Sequence, residues 1–182
     1  MLDAMALERR QRLERGLDWA ARRTFDGAAY SPARVAELKG DRTVSVVIPV
    51  KEAALTVGRV VATCDRLREA GAIDEVIVID AASTDGSAES AALAGAVVHQ
   101  EADLLPEFGD VLGKGDALWR SLSVVGGELV VFVDSDTEGF SEHFVLGLVG
   151  PLLENDELML VKGAFDRPFT SAGVRIEGGG GR

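Results

Sequence analysis

A single cysteine, Cys64, stands among the 182 residues, so no internal disulfide can form. Neither a cysteine-based zinc cluster nor a secreted disulfide framework can be built from it, and a small buried thiol is its expected role. Basic residues are also in short supply: 19 Lys and Arg against 30 Asp and Glu leave a net charge of -11. Nucleic-acid binding rests on clustered cations that neutralise phosphates, so this balance argues against a nucleic-acid partner and for solubility. The arginine-bearing stretch up to Phe25 has no apolar run of the length a signal peptide or membrane span needs. A cytoplasmic chain with no membrane partner is the expectation. Only two histidines occur, and His99 and His143 have no partner at metal-ligand or catalytic-dyad spacing, which predicts surface or capping roles. Internal repeats are absent, and low complexity is confined to Gly178–Gly181.

What is present is enough for one core: 182 residues with 47% hydrophobic content leave little room for a second domain. Residues 2 to about 23 read as a helix with Leu2, Met5, Ala6, Leu13, Leu17 and Ala20 near one face, and a shorter helix spans Pro32–Lys39. Residues 1–40 are therefore assigned to an N-terminal helical appendage that packs on a main domain over 41–182. From Thr43 the chain alternates β-branched runs with helical stretches. Strands are expected at Val44–Ile48, Val76–Asp80, Val97–Val98, Leu129–Val133 and Leu158–Lys162, with helices at 54–70, from the Ser83–Asp85 cap to Gly95, at 116–125 and at 141–153. Gln100–Gly113 is read as irregular. Such alternation predicts an α/β fold with a mainly parallel sheet flanked by helices. Trp19 and Trp119 fall on helices, where burial is the expected use of an indole.

Ligands of open α/β sheets sit beyond the carboxyl ends of the strands. Here those ends carry Pro49-Val50-Lys51-Glu52, Asp80-Ala81 and Asp134-Ser135-Asp136. Two carboxylates flanking one residue after a buried strand can approach a hard divalent cation, Mg²⁺ or Mn²⁺, and through it a diphosphate. Asp80 is placed to accept from a base N–H or a ribose hydroxyl, with Ser83, Thr84 and Asp85 left to cap the next helix. Lys114, between two glycines, can bring an ammonium to a nucleotide oxygen. Glu52 suits either nucleotide binding or the first turn of the following helix, where the dipole favours a carboxylate.

Two familiar nucleotide motifs are missing. No glycine occurs between Pro49 and Ala54, where a dinucleotide-binding fold needs G-x-G-x-x-G. Gly109 to Gly115 has the wrong spacing for a P-loop, follows no strand, and offers no hydroxyl residue after Lys114. A nucleotidyltransferase would want a glycine-rich basic loop where Lys51-Glu52-Ala53-Ala54 stands.

The chain resembles the retaining glucosyl-3-phosphoglycerate synthases and their mannosyl-3-phosphoglycerate synthase relatives. The match is carried by Thr43-Val-Ser-Val-Val-Ile-Pro49, Asp80-Ala-Ala-Ser-Thr-Asp85, Gly113-Lys-Gly-Asp-Ala-Leu-Trp-Arg-Ser121 and Val133-Asp-Ser-Asp136, and it continues to Gly178–Arg182. The segment around Lys114 is its specific part. The resemblance implies a GT-A fold and transfer of a hexose from a nucleotide diphosphate sugar, UDP-glucose first, to 3-phosphoglycerate. By that similarity Pro49, Val50, Lys51, Glu52, Ala81, Lys114, Asp134 and Ser135 line the donor nucleotide, Asp136 is the metal ligand, and Gly181 and Arg182 begin the acceptor-phosphate loop. No general base is assigned.

Two places depart from the family pattern. Glu52-Ala53 stands where an Asn-Glu pair is usual, and Ala81 where serine is common, which leaves GDP-mannose open as a donor. Family members also continue well beyond this length, so the resemblance implies that a second metal ligand and most of the acceptor site lie outside the 182 residues. Uncovered apolar surface would then favour a homodimer. The rival from another class is a catalytically silent nucleotide-sugar-binding module.

Overall fold

The computed structural model describes residues 2–171 and 174–180, with side chains placed from Leu7 to Ala164. Helix α1 (Leu2–Arg23) and helix α2 (Pro32–Lys39) precede strand β1 (Val44–Val50). There follow α3 (Val57–Glu69), β2 (Glu75–Asp80), α4 (Ser87–Leu93), β3 (Val97–Gln100), α5 (Lys114–Ser121), β4 (Leu129–Phe132) and α6 (His143–Glu154). The strands form one parallel sheet in the order β3-β2-β1-β4.

Alternation along β1 sorts the core. Val44, Val46, Ile48 and Val50 face one layer, where they meet Val57, Val60, Val61, Cys64 and Leu67 of α3 and Val145, Leu146, Val149 and Leu153 of α6. Val47 faces the other, with Ile77, Ile79, Leu104 and Ala117. Period-2 alternation with both faces buried is what a central strand covered by helices requires. Cys64 is buried as expected, and that burial pushes its thiol up to about 12.

Tyr30 and Val35 belong to the larger core layer. The Tyr30 ring lies against Gly150 of α6, and its hydroxyl donates to Glu154 Oε2 at 2.8 Å, while Arg34 reaches Glu154 Oε1 at 3.2 Å. A Cβ at position 150 would collide with the ring. Gly150→Ala is therefore expected to destabilise the fold by about 1–3 kcal/mol through overpacking, despite alanine's better helix propensity. Urea denaturation measures this, and an unchanged or raised midpoint would show that the ring swings aside freely.

Three expectations are corrected here. Leu158–Lys162 is not a strand: after α6 the chain turns, Leu158 N–H donating to Asn155 C=O, and Met159 and Leu160 are 91% and 82% exposed. An apolar run becomes a strand only where a ladder partner waits, and none of the described strands pairs with it. Instead β5 (Phe165–Ser171) and β6 (Val174–Gly180) form a separate antiparallel pair. Helix α1 is present, but Leu7, Leu13, Leu17 and Trp19 on it are exposed rather than packed on the domain. Trp119 is also half-exposed, set edge-on against Phe108 at 5.1 Å. Among the described residues no helix is long and apolar enough to cross a membrane.

Candidate functional site

Parallel strands bring all their carboxyl ends to one side, and there a cavity of about 620 Å³ opens. The register sets its floor: Val50 pairs with Asp80 and Asp80 with Gln100, so the loops after β1, β2 and β3 leave the sheet at one level. Val133 N–H still donates to Val47 C=O, which puts Asp134 directly past the end of β4 pairing.

The loop after β1 is laced to the loop after β2. Glu52 N–H donates to Ser83 Oγ at 3.0 Å, and Thr84 N–H donates back to Glu52 Oε1 at 2.9 Å. Ala53 N–H donates to Ser87 Oγ, and Ala54 N–H to Asp85 Oδ2. The Ser87 hydroxyl and the Ala54 N–H hold the Asp85 carboxyl below the usual range. Glu52 and Ala82 both have positive φ, at 51° and 54°. Left-handed backbone at non-glycine residues costs about 1–3 kcal/mol each and persists where its surroundings over-determine it, as this lacing does. Glu52 thus takes neither of its two expected roles alone. Its carboxylate staples the loops while the residue lines the cavity, and α3 begins only at Val57.

Across the crevice, Lys114 opens α5 after Gly113, whose φ of 102° suits glycine. Its ammonium pairs with Asp134 Oδ1, so cation and carboxylate are held together at the β4 end. Asp136 is exposed, lines the cavity, and makes no hydrogen bond or ion pair among the described residues. No group of three potential metal ligands occurs among the described residues. An ion here would rest on one or two carboxylates plus ligand oxygens and water, which is how Mg²⁺ is usually held beside phosphates. The donor set therefore fits a divalent cation shared with a diphosphate.

The cavity brings together Pro49, Val50, Lys51, Glu52, Ala81, Lys114, Asp134, Ser135 and Asp136. Asp80 is the exception among the expected residues. It is fully buried beneath the crevice, its Oδ2 accepting from Ser83 N–H at 3.1 Å and Gln100 Nε2 at 3.0 Å. Ser83 serves the lacing, while Asp85 does both jobs, its Oδ2 accepting from Ala54 N–H and its Oδ1 from Ser87 N–H at the first turn of α4, as the capping expectation had it. Gly181 and Arg182 lie outside the described residues.

Two residues of this region were missed in the sequence. Glu101 lines the cavity while only 2% exposed. Arg120, 1% exposed, ties Asp116 Oδ2 at 2.7 Å to the carbonyls of Leu104, Leu105 and Gly109, and so fastens the irregular segment onto α5. Its hydrogen bond holds the Asp116 carboxyl below the usual range. Only the ALWRS run hinted at Arg120, and nothing marked Glu101.

A parallel sheet whose strand ends share a crevice, with D-x-D at the last of them and no glycine-rich phosphate loop, is the GT-A architecture of nucleotide-sugar-dependent transferases. The chain belongs to glycosyl transferase family 2, whose profile matches residues 45–172. It is 41% identical over 167 residues to a glucosyl-3-phosphoglycerate synthase of Mycolicibacterium smegmatis, covering 92% of this chain and 55% of that protein. Among solved structures it is similar to the mannosyl-3-phosphoglycerate synthase of Rubrobacter xylanophilus, with a TM-score of 0.73 and 41% identity over 76% of this chain and 45% of that one. It is similar also to the Mycobacterium tuberculosis glucosyl-3-phosphoglycerate synthase in complex with Mn²⁺, UDP-glucose and phosphoglyceric acid, with a TM-score of 0.64 and 40% identity over 68% and 44% of the two chains. The chain thus spans about half the length of the curated relatives it matches.

Proposed function

We propose that this chain holds the nucleotide-sugar donor for glucosyl transfer to 3-phosphoglycerate, with UDP-glucose as donor. The observation that carries the reading is the Asp136 carboxylate, which lines the cavity beside the Lys114–Asp134 pair with no partner among the described residues. Asp136 would hold Mg²⁺ or Mn²⁺ against the diphosphate, and the ion, when bound, neutralises the charge of the departing nucleotide. Lys114 is the protein's own cation at that end, placed to exchange Asp134 for a phosphate oxygen. Pro49, Val50, Lys51 and Glu52 with Ala81 form the wall along which the nucleoside lies. Gly181 and Arg182 are assigned to the acceptor phosphate, a role suited to a guanidinium. The exposed Leu112, Met159 and Leu160 support self-association as a homodimer.

The likeness to the Rubrobacter mannosyl enzyme supports a second reading, in which a GDP-sugar takes the same place. Calorimetric titration with UDP-glucose and GDP-mannose, each with and without Mn²⁺, separates the two. UDP-glucose is expected to bind in a metal-dependent manner and to exclude GDP-mannose from one shared site. A clear GDP preference moves the donor to the mannosyl type, and the absence of binding by either overturns the donor role.

A further inference from the structure

Glu101 follows β3 directly, 2% exposed and at the wall of the cavity, yet its Oε1 has no hydrogen-bond partner among the described residues. Buried polar atoms are nearly always paired, and an orphan at a cavity wall marks a place where a ligand completes the pairing. Its position in the sheet says which part of a ligand that is. The order β3-β2-β1-β4 sets Glu101 at the opposite end of the crevice from Asp134 and Asp136. A diphosphate held at the β4 end sends its nucleoside across the ends of β1 and β2 toward Glu101. Pro49, Ile79, Val111 and Ala117 of the lining supply apolar walls for a flat ring on that path.

We propose that Glu101 reads the base of the donor nucleotide, its Oε1 accepting a ring N–H that sits next to a carbonyl group. Uracil and guanine carry that pattern; cytosine and adenine do not. The inference rests on the donor reading above and adds to it the group that selects the base. Burial, and then the Asp116 carboxylate, push the Glu101 carboxyl above its usual range, against the Arg120 and Lys51 cations. An N–H donated to the charged form offsets that cost.

The test is calorimetric titration of the wild-type chain, Glu101→Gln and Asp80→Asn with UDP, GDP, CDP and ADP in Mn²⁺, with thermal melts to verify folding. The wild type is expected to prefer UDP or GDP over CDP and ADP by at least about tenfold, the scale of one hydrogen bond to a charged group. Glu101→Gln should weaken the preferred nucleotide about tenfold and bring its ratio to CDP toward one, because an amide can also donate to the cytosine ring nitrogen. Glu101→Asp, which keeps the charge but withdraws it, should lose affinity while keeping the order of preference. An unmoved ratio in Glu101→Gln overturns the proposal, as does a ratio that moves only in Asp80→Asn, whose buried Oδ1 also lacks a partner among the described residues. If the wild type binds no nucleotide at all, the donor reading falls first and this one with it.

Discussion

Arg120→Ala is expected to lower the free energy of unfolding by about 3–5 kcal/mol, the scale for breaking one side of a buried charge pair. The guanidinium is 1% exposed and spends its donors on Asp116 Oδ2 and on the carbonyls of Leu104, Leu105 and Gly109. Truncation leaves those acceptors without their partner and opens a cavity the size of the lost side chain. Arg120→Lys should recover only part of the loss, since an ammonium cannot reproduce a planar fork aimed at several acceptors. Nucleotide affinity should fall as well, because the segment Arg120 fastens is flanked by Glu101 and Gly113 and carries Val111, all three lining the cavity. Urea unfolding with a far-UV signal is the measurement. A loss under about 1 kcal/mol, the ordinary range of surface substitutions and mild defects, would show that the segment holds its shape by other means.

Arg120 also shows where sequence reading runs out. The sheet strands were legible because β-branched runs such as Val44–Ile48 and Val76–Ile79 have one stable use in an alternating chain, a strand buried on both faces. Residues directly after those runs were legible for the same reason: Lys51, Asp134, Ser135 and Asp136 line one cavity, and Lys114, which follows no strand, joins them from the start of α5. Arg120 was not, because its partners are backbone carbonyls, and a carbonyl has no letter in the sequence. Asp80 was placed correctly along the chain but assigned outward, whereas its carboxylate turns beneath the crevice and takes up the Ser83 N–H and the Gln100 amide. Leu158–Lys162 failed on the converse ground: its composition suits a strand, but strand formation depends on a neighbour that composition does not reveal. The lacing of Glu52 to Thr84 was hidden in the same way, since a staple between two loops depends on how both turns are shaped.

Asp136→Ala is expected to abolish the metal dependence of UDP-glucose binding and to reduce affinity in Mn²⁺ by about 100-fold. Losing even an outer partner of a metal ligand costs roughly 10–100-fold in metal affinity, so losing the ligand itself belongs at the top of that range or beyond it. The contrast with Asp134 makes the experiment specific. Asp134 is committed to Lys114, whereas Asp136 has no protein partner among the described residues and faces the cavity. Asp134→Asn removes negative charge but releases the ammonium to meet a phosphate oxygen directly, so its expected loss is smaller and metal dependence persists. Lys114→Ala leaves the Asp134 carboxylate uncompensated beside the incoming diphosphate, and like charges at that range repel. Its affinity should therefore fall both with and without Mn²⁺. Calorimetry of the three variants across Mn²⁺ concentrations distinguishes these patterns. If Asp136→Ala retains wild-type affinity and wild-type metal dependence, the D-x-D carboxylate is not the ligand. The cation would then have to be held by the diphosphate and water alone, with Lys114 as the main cation the protein brings to the departing nucleotide.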